Sequence, residues 1–244
     1  MVDARKAALV TGAAKRVGRA IALGLADLGY DVAFTYLSSE EEARAMTGEI
    51  AARGRRGVMI RADLTRPDVA AEEIHRVVGV ELGRLDVLVN NASLYLKADL
   101  HEATPEMMRR LNAIHVEAPL LLCQKFESML RHARGHVVNM VDLLAERPWP
   151  AYLAYCASKA GLWNLTLGLA RAMAPEVTVN GIAPGVVEWP EDYPEAEREK
   201  YLRRVPLGRS GTPEDVANVV RFLVTGGAYV TGQIIRLDGG RSIT

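Results

Sequence analysis

The residues best suited to moving a proton run from Asn139-Met140-Val141-Asp142 to Tyr155-Cys156-Ala157-Ser158-Lys159. Tyr155 and Lys159 are four residues apart, so on a helix they share one face. A phenol with a reference pKa of about 10 is a weak acid at neutral pH. A cation held beside it favours the phenolate and brings its proton transfer nearer to working range. A Tyr-x-x-x-Lys spacing is common, and an ordinary solvated helix face produces it too. What gives it weight is a phosphate-binding turn at the right distance before it.

That turn is Thr11-Gly12-Ala13-Ala14-Lys15-Arg16-Val17-Gly18-Arg19, placed after an apolar strand and opening a helix. Small residues there allow a tight turn and bring a pyrophosphate close to backbone N–H groups at the helix N-terminus. The second strand ends Phe34-Thr35-Tyr36-Leu37-Ser38-Ser39, without the Asp or Glu that would accept from a ribose 2′-OH. An acid there would repel a 2′-phosphate, whereas Ser38 and Ser39 can donate to one, and Lys15 and Arg16 add positive charge. The cofactor these features favour is NADP. Its expected contacts are Gly12, Lys15, Arg16, Val17 and Gly18 in the turn, Tyr36, Ser38 and Ser39 after the second strand, and Asp63 and Leu64 after the third. Asp63 is placed to cap the adenine side.

The elements that must position these groups alternate along the chain. Ala7 to Thr11, Asp31 to Tyr36, Gly57 to Arg61, Leu85 to Val89, His136 to Val141, Val177 to Ile182 and Gln233 to Leu237 read as strands. Most are near-continuous apolar runs, as in strands covered on both faces. Helical stretches lie between them, for example Gly18 to Leu28 and Glu40 to Arg53. This alternation predicts an α/β fold: a single Rossmann-type, doubly wound parallel sheet with helices on both faces. No repeat or linker divides residues 1–244, so one domain is expected. The irregular stretch around 185–206, with Trp189, Pro190 and Pro194, reads as a substrate lid carrying a short helix. The apolar helices Leu111 to Leu130 and Ala157 to Met173 exceed what one face buries against a sheet, and so could be covered on two sides.

Composition narrows the partners. An apolar fraction of 49% suffices for a buried sheet, and 30 basic against 30 acidic residues argue against general attraction to nucleic acid or an anionic membrane. Two cysteines, Cys123 and Cys156, lie in apolar stretches and read as small buried thiols. The five histidines show no metal-ligand spacing, so no metal is expected. No apolar run is long enough to span a bilayer, and the first residues lead into a strand pattern rather than a signal peptide. A soluble, cytoplasmic protein is the expectation.

Over essentially its whole length the chain resembles the short-chain dehydrogenase/reductase family. The matching pieces are Thr11-Gly12 to Gly18, Asn90-Asn91-Ala92, Asn112, Tyr155 to Lys159, Pro184-Gly185, and Tyr229-Val230-Thr231-Gly232 to Asp238-Gly239-Gly240. The resemblance implies that Tyr155 donates the proton. It implies that Lys159 holds the nicotinamide ribose and lowers the tyrosine's pKa, and that Asn112 supports a proton-relay water. It adds Asn90, Ala92, Ser93, Pro184, Gly185 and Val187 to the cofactor contacts, and it implies a homotetramer.

Two departures refine that resemblance. Arg16 stands where the turn usually has a glycine, and Asp142 stands where a serine usually steadies a substrate carbonyl. Both, with Ser93 after Asn90-Asn91-Ala92, are similar to the pteridine reductase branch. That likeness implies a pterin-like substrate contacted by Arg16, Ser93, Tyr95, Asp142 and Tyr155. A carboxylate beside a developing alkoxide is repulsive, whereas a C=N that accepts hydride at carbon becomes basic at nitrogen and needs a proton. The expected reaction is therefore NADPH-dependent reduction of a pterin C=N. Reduction of a 3-oxoacyl thioester or a sugar carbonyl is the alternative, which the Val230 to Gln233 and Pro213 to Val216 regions also resemble. A non-catalytic nucleotide-sensing protein is a third reading, disfavoured by the intact Tyr–Lys pair.

Overall fold

A computed structural model describes residues 5–189 and 193–244. Seven strands form one wholly parallel sheet: β1 (Ala7–Val10), β2 (Asp31–Tyr36), β3 (Gly57–Arg61), β4 (Val87–Asn90), β5 (His136–Met140), β6 (Thr178–Pro184) and β7 (Ile234–Leu237). Their spatial order is β3-β2-β1-β4-β5-β6-β7. The expected fold is the one observed. Strand limits differ by a residue or two, most at β4, which starts at Val87 rather than Leu85, and at β6, which runs on to Pro184.

Successive residues of each strand face opposite sides, so two cores form. On one side Ala8 and Val10 of β1 pack with Val32 and Phe34 of β2 under α1 (Arg16–Asp27), α2 (Glu40–Ala52) and α8 (Pro213–Thr225). On the other, Leu9 and Leu88 lie under α3 (Pro67–Glu81), α5 (Ala118–Ala133) and α6 (Leu153–Met173). Phe34, Phe126, Leu9 and Leu88 are completely buried, each removal from water stabilising the fold by about 1.5–3 kcal/mol. Asn90, Asn139 and Thr166 form a buried polar thread: Asn90 Nδ2 donates to Asn139 Oδ1 at 2.7 Å, and Asn139 Nδ2 to Thr166 Oγ1 at 2.9 Å. It ties β4 and β5 to α6.

The stretch from Leu111 to Leu130 is not the single helix its apolar content suggests. α4 (Pro105–Asn112) ends at Asn112, a π-helical turn spans Ala113–Glu117, and α5 follows, with Pro119 in its first turn. A π turn re-aims the side chains it carries, and such turns recur at functional sites. Here it carries His115 inward. α6 begins at Leu153, before the expected Ala157, and is buried on one side only; Ala157, Ala160 and Gly168 lie exposed on its outer face. Within the chain these helices are therefore not covered on two sides.

The stretch around 185–206 contains α7 (Glu195–Leu202). Pro190, which figures in the expected lid, lies outside the described residues. Thr212 caps α8 through a reciprocal pair with Asp215. Both cysteines are buried and unpaired, and no described helix is long and apolar enough to cross a membrane.

Candidate active site

The strand order reverses between β1 and β4, and the crevice beyond the carboxyl ends of those two strands is where such sheets bind ligands. Gly12 follows β1 with a left-handed φ of 63°, and a Cβ there would fall 2.9 Å from Ala92 Cα. The turn is locked from the β4 side. Asn91 Nδ2 donates to Thr11 O at 2.9 Å and Gly12 O at 3.0 Å, and Thr11 Oγ1 accepts from Asn91 N and Ala92 N. Asn91, not singled out as a site residue, thus shapes the turn. The same amide explains Gly18, whose Cβ would lie 2.5 Å from it.

A groove of about 370 Å³ opens here, lined by Gly12, Lys15, Arg16, Val17, Gly18, Tyr36, Asp63, Leu64, Ala92 and Ser93, all expected cofactor contacts. Lys15 precedes α1 without a side-chain cap, so the first-turn N–H groups are free of a competing side-chain acceptor and suit a pyrophosphate. The residues present fit a dinucleotide. Asp63 Oδ1 accepts from Thr65 N and Oγ1 at 3.0 and 2.7 Å, and the Thr65 hydroxyl holds its carboxyl below the usual range.

Other expected contacts fall elsewhere. Ser38 and Ser39 line a separate polar recess at the start of α2, beside Glu40, Glu41, Glu42 and Arg44. Lys15 is paired there with Glu42 at 2.6 Å, and Arg16 is paired with Glu188. The positive charge expected for a 2′-phosphate is therefore largely engaged. Asn90 faces the polar thread and lines neither cavity, and Asn112, at the end of α4, lines neither cavity. Pro184, Gly185 and Val187 line a second cavity, because β6 stands two strands beyond β4.

That second cavity, of about 380 Å³, joins the groove at Arg16, which lines both and takes a positive φ of 55°. Asp142 and Tyr95 lie on its walls with Trp149, Tyr152, Trp189 and Tyr201. Tyr95 stacks on Tyr152 at 4.5 Å and meets Tyr155 edge-on at 4.8 Å. Trp189 packs on Tyr193 at 4.8 Å and Tyr201 at 5.4 Å. The aromatic wall other than Tyr95 and Trp189 was not foreseen. It comes from separate segments with no shared spacing.

Behind Asp142, which lines this cavity, lies the buried Tyr155, which lines neither cavity: its Oη donates to Asp142 Oδ2 at 2.7 Å, and Asp142 Oδ1 accepts from Leu144 N at 2.8 Å. Burial pushes the Asp142 carboxyl up, against the Leu144 N–H, the Tyr155 hydroxyl and the Lys159 charge. Burial and the Asp142 charge push the Tyr155 phenol well above its ordinary value. The net shift is upward although the Lys159 ammonium, expected to lower it, stands 5.8 Å from the Tyr155 ring, because a carboxylate accepting the phenol hydrogen favours the neutral form. Lys159 is itself buried, donates to Met140 O at 2.8 Å, and is pushed down by burial to about 8. Ser93 contacts His115, whose ring was not foreseen as part of the site. Among the described residues no cluster of three or more His, Cys, Asp or Glu could hold a metal ion.

Comparison with known proteins agrees with this architecture. Residues 12–242 match the family model described as Enoyl-(Acyl carrier protein) reductase. The chain is 35% identical over 240 residues to 3-oxoacyl-(acyl-carrier-protein) reductase FabG of Staphylococcus epidermidis, covering 96% of this chain and 98% of that protein. It is 36% identical to an uncharacterized oxidoreductase of Methylorubrum extorquens, with 96% and 97% covered. Among solved structures, a blue fluorescent protein from a metagenomic library in complex with NADPH superposes with a TM-score of 0.91 at 35% identity, covering 97% of each chain. A short chain dehydrogenase from Burkholderia cenocepacia J2315 in complex with NADP gives 0.90 at 36% identity, again covering 97% of each.

Proposed function

This chain belongs to the short-chain dehydrogenase/reductase family, and on that premise we propose that it is an NADPH-dependent reductase acting on a C=N bond of a pterin, dihydropterin or dihydrofolate. One observation carries the choice of acceptor: the 2.7 Å hydrogen bond between Tyr155 Oη and Asp142. NADPH, when bound, supplies the hydride. Tyr155 Oη holds the proton that a ring nitrogen takes up as it becomes basic, and Asp142 replenishes or relays it. Gly12 to Gly18 hold the pyrophosphate, and Lys159 holds the nicotinamide ribose. Arg16, at the junction of groove and cavity, contacts cofactor and substrate, while Tyr95 and Ser93 flank the ring. The stretch around 185–206 serves as the lid that excludes water. The outer faces of α5 and α6 assemble four copies, a state that light scattering would read directly.

A second reading has the curated relatives on its side: reduction of a 3-oxoacyl thioester, the reaction in the name of the staphylococcal relative. Asp142 stands against it, because a carboxylate beside the developing alkoxide is repulsive. The deciding assay follows NADPH absorbance with dihydrobiopterin, dihydromonapterin, dihydrofolate and a 3-oxoacyl thioester. Turnover of a pterin is expected; turnover of the thioester with no pterin reduced assigns the second reading.

A further inference from the structure

His115 is almost completely buried, with 1% of its surface exposed, and its ring meets the Tyr155 ring edge-on at 5.5 Å. Its Nε2 lies 2.8 Å from Ser93 Oγ and 3.3 Å from Leu94 N. Its Nδ1 lies 2.8 Å from Ser158 Oγ, which donates to Tyr155 O at 2.7 Å. Two of these contacts fix the tautomer. A backbone N–H directed at Nε2 requires a lone pair there, and a Ser158 hydroxyl spent on Tyr155 O can only accept from Nδ1–H. The hydrogen bonds therefore run one way, from the Ser93 hydroxyl to Nε2, from Nδ1–H to Ser158, and from Ser158 to the Tyr155 carbonyl. This chain conducts no proton, since it ends on a backbone carbonyl.

We propose that His115 is a positioning residue that holds the Ser93 hydroxyl hydrogen away from Tyr155, so that Ser93 meets the site as an acceptor and Tyr155 keeps its proton for the substrate. Ser93 Oγ lies 2.8 Å from the imidazole that meets the Tyr155 ring edge-on at 5.5 Å, and a Ser93 hydroxyl turned to donate to the phenol oxygen favours the phenolate. The groups facing Tyr155 are Asp142 after β5, Lys159 on α6, Ser93 and Tyr95 after β4, and His115 on the π turn. Of these Ser93 is the donor whose direction is set by a neighbour. As an acceptor, it selects ligand atoms that carry N–H, such as an amide or a ring amino group.

The inference rests on Tyr155 as the proton donor, not on the pterin assignment. The test reads Tyr155 ionisation by ultraviolet difference titration of the protein without cofactor or substrate, with Tyr155→Phe identifying the signal. His115→Leu frees the Ser93 hydroxyl, and the Tyr155 transition is expected to move down by about one pH unit. The double variant Ser93→Ala/His115→Leu returns it to the wild-type position, and His115→Gln, which keeps an acceptor and a donor, leaves it there. The Tyr155 transition is itself the spectroscopic signature that a merely structural role would not move. An unmoved transition in His115→Leu, or a shift that survives in the double variant, overturns the proposal. Should His115→Leu not fold, NMR of the labelled imidazole nitrogens in the wild-type protein decides: a proton on Nδ1 supports the proposal, and a proton on Nε2 overturns it. A protein that reduces no pterin leaves these readouts unaffected.

Discussion

Tyr155 spends its hydroxyl hydrogen on Asp142 at 2.7 Å, not on a neutral hydroxyl, so the phenol and the carboxyl share one proton site behind the wall of the second cavity, which Asp142 lines. Both groups are pushed toward their protonated forms by burial. The pair is thus biased toward holding a proton. A nitrogen or an oxygen that turns basic during the reaction can take that proton, but an alkoxide also develops negative charge beside the carboxylate, whereas a C=N nitrogen that enters the reaction protonated does not.

Replacing Asp142 separates those two cases. Asp142→Ser keeps a side-chain oxygen able to cap Leu144 N, as Asp142 does, while removing the proton site. Pterin turnover is expected to fall in kcat by about 10²–10⁴-fold, and turnover of a ketone to rise. Steady-state NADPH oxidation with both substrates reads this. Equal activities in variant and wild type would remove Asp142 from the chemistry.

The pH dependence follows from two buried groups. Lys159 titrates at about 8 because burial disfavours its charge, so kcat/KM is expected to fall as pH rises through that value. His115 is held down to about 2 by burial and the Lys159 charge, against an ordinary value of 6.5. The unfolded chain takes up this proton below 6.5 while the folded one does not, so His115 costs stability as pH falls. From pH 7 to pH 5 the loss is about 2 kcal/mol. Urea unfolding at the two pH values, compared with that of His115→Gln, isolates this contribution, which should vanish in the variant.

The phosphate turn offers a sharper structural test. Gly12→Ala places a methyl at a positive φ and 2.9 Å from Ala92 Cα, a combination expected to cost about 2 kcal/mol or more. The turn would have to shift against Asn91, so NADPH affinity should drop along with thermal stability. Gly29 also has a positive φ, but nothing lies near its would-be Cβ. Gly29→Ala should cost stability through strain alone and leave the NADPH Kd unchanged. Calorimetry and fluorescence titration of both variants distinguish the outcomes.

What could be read in the sequence was local or imposed by topology. Tyr155 and Lys159 are one helical turn apart, and Gly12 to Gly18, Asp63 and Leu64 follow strand ends that a parallel sheet must bring to one edge. What could not be read depends on distant packing. His115 meets Ser93 across 22 residues and Ser158 across 43, and a π turn with no sequence signal aims it inward. Pro184, Gly185 and Val187, expected as cofactor contacts, line the second cavity and not the groove beside Gly12. Spacing from a motif does not say on which side of a crevice a loop falls.

Ser38 and Ser39 show the same limit, and with Lys15 they set the last prediction. The Lys15 ammonium is held by Glu42 at 2.6 Å, in a recess that also contains Glu40 and Glu41. A 2′-phosphate seated there must compete with three carboxylates for two cations that are already paired, Lys15 with Glu42 and Arg44 with Glu40. Glu42→Gln releases Lys15 and is expected to tighten NADPH several-fold while leaving NADH unchanged, with the gain shrinking as salt is raised because the pair is exposed. Ser38→Asp places a further negative charge at the end of β2 and should weaken NADPH roughly tenfold, about 1.4 kcal/mol. Kd values for NADPH and NADH at two ionic strengths read both effects. If neither variant changes the ratio of the two cofactors, the phosphate does not sit in the recess beside Ser38, and the preference for NADP must arise within the groove at Arg16.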